Sequence, residues 1–184
     1  MNMFKLVPTA LLLAASASAA SAQSSDTAGP LPITGNVPAL CSVGTLSGNG
    51  TFPLGVLIDT STGLLRGDLS APPQVLSAAF CTAQSTITVS ATPLQSVNAT
   101  GTPPGGFSRT VNYTATASGW TATAASFTTG AATNPAATQS RTTAFQGDIS
   151  VAVGAFSTGG GNALRLVADP AYAGNVTVTL AATN

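Results

Sequence analysis

Histidine and glutamate are absent from all 184 residues, and the single lysine is Lys5. General acid–base catalysis near neutral pH leans on His, Glu or Lys with tuned pKa values. Transition-metal sites lean on imidazole and thiolate. A Ser-His-Asp triad cannot be assembled without His, and a Ser-Lys pair cannot be assembled beyond Lys5. Positive charge is equally scarce. Beyond residue 22, four Arg stand against five Asp, a net charge of −1. Capture of nucleic acid requires a basic patch, and a membrane-surface segment requires a polybasic run; the chain has neither. No apolar run reaches the roughly 20 residues of a membrane-spanning helix. These shortages point away from an enzyme, a cofactor, a metal site or a nucleic-acid partner.

The first residues carry a different signal. Lys5 precedes a short apolar run, Leu6 to Ala15, and Ala20-Ser21-Ala22 forms an A-x-A cleavage site ahead of Gln23. These are the three parts of a secretory signal peptide, assigned to residues 1–22, with one domain over 23–184. Export to the periplasm, cell surface or medium follows. The two cysteines, Cys41 and Cys81, then read as one disulfide of an oxidising compartment. It would close a loop of about 41 residues, worth roughly 4 kcal/mol on the chain-entropy account. A pair of buried free thiols is the alternative. No CxxC is present, so the bond is structural.

Gly, Pro, Ser and Thr punctuate the chain about every ten residues, the rhythm of an all-β sandwich or barrel. The clearest strand is Thr86 to Ala91, where Ile87, Val89 and Ala91 alternate with Thr86, Thr88 and Ser90. Val176 to Leu180 repeats the pattern, and Thr110 to Thr128 reads as a hairpin turning at Ser118-Gly119. Further strands are expected at Leu31 to Val37, Thr51 to Ile58, Gln74 to Cys81, Ile149 to Val153 and Ala163 to Val167. The stretches 100–106 and 130–139 read as uncharged loops. A transmembrane β-barrel needs aromatic girdles and strands of about ten residues, which this composition does not supply.

Several constellations were weighed for chemistry. Arg66-Gly67-Asp68 spells an adhesion tripeptide, but apolar Leu65 and Leu69 flank it, and a polar turn explains it. Asp59, Ser61 and Gly63 sit at alternate positions as in a calcium loop, yet position twelve is Ser70 rather than an acid. Asp59, Asp68, Asp148 and Asp169 supply the carboxylates for any catalytic pair; each stands at a preferred turn position. Trp120, Tyr113, Tyr172, Phe107 and Phe127 offer rings for a sugar platform, although Tyr113 and Phe127 fall on apolar registers that favour core packing.

Ile33-Thr34-Gly35-Asn36-Val37 followed by Cys41-Ser42-Val43, with Cys81 some forty residues on, resembles the opening of chaperone–usher pilin subunits and spore-coat-U-like secreted domains. The ending Tyr172 to Leu180 resembles their closing strand. The resemblance implies an immunoglobulin-like or pilin-like antiparallel sandwich, completed by a strand from another subunit and escorted by a periplasmic chaperone. The same matching places Leu31, Ile33 and Val37 in the first strand of the fold itself, and residues 23–29 upstream of it contain no alternating apolar residues to serve as a donor. A self-complete sandwich is therefore equally compatible. The expected function is a non-enzymatic structural or adhesive surface protein, fimbria-like and capable of self-association. An extracellular carbohydrate-binding module is the alternative.

Overall fold

The computed structural model describes residues 29–183. The signal peptide expected over 1–22, the cleavage point before Gln23, and Asp26 lie outside the described residues. Residues 29–36 belong to a separate unit from Val37–Asn184, and they form no strand.

The larger unit is all β. Its strands are β1 (Cys41–Ser42), β2 (Thr45–Ser47), β3 (Gln74–Cys81), β4 (Ser85–Ala91), β5 (Leu94–Ser96), β6 (Phe107–Ser108) and β7 (Thr110–Ser118). They continue with β8 (Ala125–Thr128), β9 (Thr138–Arg141), β10 (Phe145–Ser157), β11 (Arg165–Leu166), β12 (Tyr172–Ala173) and β13 (Val176–Ala182). One sheet has β3, β10 and β7 at its centre. β1 and β2 lie end to end along the outer side of β3, while β8 and β5 flank β7, with β12 beyond β5. The other sheet runs β13-β4-β9. Pairing is antiparallel throughout, except for the short parallel contact of β11 with β6.

The period-2 alternation places this architecture. In β4, Ser85, Ile87 and Val89 face inward and are fully buried, while Thr86 and Thr88 face out. In β7, Val111, Tyr113, Ala115 and Ala117 do the same. Their inner faces meet Ile149 and Val151 of β10 and Ala79 and Cys81 of β3 in one core. Small Ala side chains in β7 and β3 leave room for Trp120. That ring inserts from the β7–β8 turn and is fully buried. Its Nε1 donates to Ser85 Oγ at 3.3 Å, and its carbonyl accepts from Arg141 Nη1 at 2.7 Å. The Arg141 guanidinium lies 3.6 Å from the centre of the Phe145 ring, which meets Trp120 edge to face at 5.2 Å.

Three strand expectations change. Leu31 to Val37 forms no strand: Pro30, Pro32 and Pro38 remove backbone donors, and Leu31, Ile33 and Val37 stand exposed. Thr51 to Ile58 is broken by Pro53 and by Gly55 at φ 67°, leaving only the bridge Ile58–Leu65. Leu57 and Ile58 instead pack with Leu65, Val111 and Leu166 in a second, smaller core. The stretch 130–139, read as a loop, delivers the start of β9, whose Thr138 to Arg141 pair with β4.

Candidate functional site

Two features of the larger unit stand out: an open strand edge and a groove of mixed lining. β13 pairs with β4 over seven registers, Val176–Ala91 to Ala182–Ser85, and among the described residues no strand pairs with its other side. Its inward residues, Val176, Val178 and Leu180, reach the core but stay only half-buried, unlike Ile87 and Val89 opposite. A cavity of about 380 Å³ opens beside the start of β13, floored by Tyr113, Val153 and Phe156 and walled by Phe52 and Leu54. It runs into a larger one of about 770 Å³, with which it shares Phe52, Leu54, Leu94 and Tyr172. The strandless segment 50–58 thus forms one wall of a trough with mixed polar and apolar lining. Two hydrogen bonds hold the floor: Tyr113 OH donates to the Asn175 carbonyl at 3.0 Å, and Tyr172 OH to the Val167 carbonyl at 2.7 Å.

The disulfide expected between Cys41 and Cys81 is formed, with Cα atoms 4.1 Å apart across the β1–β3 pair. It sits at the far end of the sandwich from this trough's mouth at Val176, beside the turn that joins β3 to β4.

The carboxylates serve local structure. Asp169 accepts from the amides of Ala171, Asn98 and Ala99 and from Asn98 Nδ2, all at 2.8–2.9 Å. These donors, the Ala171 amide first, hold its carboxyl far below the usual carboxylate range. Asp148 Oδ1 accepts from the Ala78 amide at 2.9 Å, filling the β-bulge where the β3–β10 register shifts. Asp59 accepts from the Ser61 hydroxyl and amide, and Arg66 grips both oxygens of Asp68.

Asp59 and Asp68 do share one cavity, of about 600 Å³, with Arg66 between them. A catalytic carboxyl pair needs its two pKa values pushed apart, so that one member keeps a proton. Here both are pushed down, Asp59 by the Ser61 donors and Asp68 by the Arg66 guanidinium. Both are ionised near neutral pH, and the cavity holds no general acid. The Arg66–Asp68 fork also ties the adhesion tripeptide to itself, at 2.7 and 2.9 Å, rather than presenting the two charges apart. Among the described residues no three His, Cys, Asp or Glu side chains gather as a metal site.

The aromatic platform is not assembled. Trp120 is fully buried and Tyr113 is 3% exposed, and Phe127 and Tyr172 are half-buried against the two cores. Phe107 alone among these rings is exposed. The groove itself escaped the sequence reading because its wall, 50–58, presents strand-like alternation without forming a strand; the Pro53 and Gly55 within it are the signal that marks it. Comparison with known proteins finds no family model, no curated protein and no solved structure that matches this chain.

Proposed function

We propose that this is a non-enzymatic, exported structural subunit of a cell-surface, fimbria-like assembly. Its subunits join by adding a strand of one copy to the β13 edge of the next. The observation that carries the reading is the open β13 edge, whose inward residues Val176, Val178 and Leu180 stay half-buried, in a chain that also bears an exposed segment of alternating apolar residues. Leu31 is 84% exposed, Ile33 99% and Val37 79%. With Gly35 they occupy every second position, so an extended 31–37 segment directs them to one face. Pro32 and Asn36 take the opposite face, where a missing N–H is tolerated at a sheet edge. Near-neutral charge favours association, and a chaperone that covers the edge before assembly would suit so exposed a strand.

The test is a synthetic peptide spanning residues 29–37, added to a chain lacking them but keeping the Pro38 and Leu40 bonds to Thr82. The melting temperature should rise with peptide concentration by mass action, and a peptide carrying Ile33→Asp should have no effect. The untruncated chain should self-associate as its concentration increases. A monomer at all concentrations whose melt ignores the peptide would sink the proposal. The carbohydrate-binding alternative gains no support from the positions of the aromatic rings.

A further inference from the structure

The disulfide joins two strands of very different standing. β1 has two residues and β2 three, all of β2 exposed, and Leu46, its one apolar side chain, is 47% exposed. Five strand residues split by the Gly44 bend are few to hold an edge, because each ordered residue loses backbone entropy. β2 adds three ladder pairs, Thr45–Ser77 to Ser47–Val75, and one side-chain bond, from Ser47 Oγ to the Val75 carbonyl; the remaining bonds that seat this stretch lie next to Cys81. Leu40 N–H donates to Thr82 Oγ1, and Thr82 donates back to the Leu40 carbonyl through its amide and to the Pro38 carbonyl through its hydroxyl. What the stretch covers is β3, eight residues without a charge or a proline. An uncovered edge of that kind is a template for pairing with another chain.

We propose that the Cys41–Cys81 bond is a redox latch that keeps β1 and β2 closed over the edge of β3. When the bond is reduced, residues 38–47 lift and β3 pairs with β3 of a second copy about a two-fold axis. Reduction by a dithiol begins at Cys41, because its partner Cys81 is only 2% exposed. One thiolate breaks the S–S bond and forms a mixed disulfide with Cys41, releasing Cys81 as a thiol. The second thiolate then displaces Cys41, and the reductant leaves as a cyclic disulfide, having given two electrons. This edge belongs to the other sheet from β13, and blocking strand addition there with Ile33→Asp separates the two readings.

The experiment uses the full chain carrying Ile33→Asp, which removes strand addition at β13, folded and oxidised, with and without dithiothreitol in native buffer. Amide hydrogen exchange is read strand by strand, alongside sedimentation. With the bond intact, amides of β1, β2 and the facing side of β3 should exchange alongside those of β7 and β10. After reduction they should exchange ahead of β7 and β10 by roughly a hundredfold, as local opening replaces global unfolding, and dimers should appear. If edge and centre accelerate together, the bond acts only through the unfolded chain and the proposal fails. It fails equally if dithiothreitol cannot reduce the folded protein, or if the reduced edge opens without any change in mass.

Discussion

At Gly44 the backbone has no room for a side chain. Its φ is 76°, and a Cβ there would lie 2.0 Å from the Ser77 carbonyl oxygen. Gly44→Ala should destabilise the protein by about 2–3 kcal/mol through left-handed strain and displacement of β1–β2, read as a lowered denaturation midpoint. Ala78 and Ala155 present the opposite case. Both occupy left-handed φ, 58° and 48°, where the β10 registers with β3 and β7 shift. Glycine relieves that strain but loosens the unfolded chain, so Ala78→Gly and Ala155→Gly should each stabilise by about 0.5–1 kcal/mol. A loss of stability in both would refute the strain argument. Trp120 is the single tryptophan and is fully buried. Its emission should therefore be blue-shifted and report the core directly, and Trp120→Ala should cost about 3–5 kcal/mol.

Strand by strand, what the sequence disclosed depended on whether a strand has one wet and one dry face. β3, β4, β7, β10 and β13 do, and their alternation locates them to within a few residues. β9 does not show it, because its inward positions are Gln139 and Arg141, and Arg141 is accommodated by the Phe145 ring rather than by apolar neighbours. Leu31 to Val37 shows the alternation but pairs with no described strand of its own copy, and Thr51 to Ile58 shows it but is broken by Pro53 and Gly55. The candidate site was legible only in its parts: the β13 pattern and the apolar 31–37 segment were readable, while the trough depends on a wall that forms no strand. The half-burial of β13 is open to measurement. Ile87→Ala, in the fully covered β4, should cost about 2–5 kcal/mol. Leu180→Ala, its cross-strand neighbour, should cost about half as much by area bookkeeping. Equal losses would mean that the outer side of β13 is covered.

Taken whole, the molecule is nearly uncharged, and its pH response follows from so few groups. Depressed carboxylates, Asp169 foremost, contribute stability that is present above the unfolded carboxylate pKa of about 4 and lost as pH falls through their lower folded values. Tyr113 and Tyr172, raised by burial, contribute stability that is present below about pH 10 and lost above it. With no histidine between them, the melting temperature should be level from about pH 5 to 9 and fall on both sides. A step between pH 6 and 7 in thermal melts would contradict this. Salt should matter little, since one exposed ion pair, Arg66–Asp68, is found among the described residues.

The turn between β3 and β4 is held from both directions. Thr82 bonds to Leu40 just before the first strand, and Gln84 accepts from Thr183 just after the last. The sandwich's incoming and outgoing backbone therefore pass through one pole, separated by a three-residue turn. A short peptide bridge from Thr183 to Leu40, with the chain reopened between the exposed residues Gly160 and Gly161, should give a circular permutant that folds with the same buried tryptophan signal. A partner fused through the backbone on either side of the sandwich is therefore joined at that one pole.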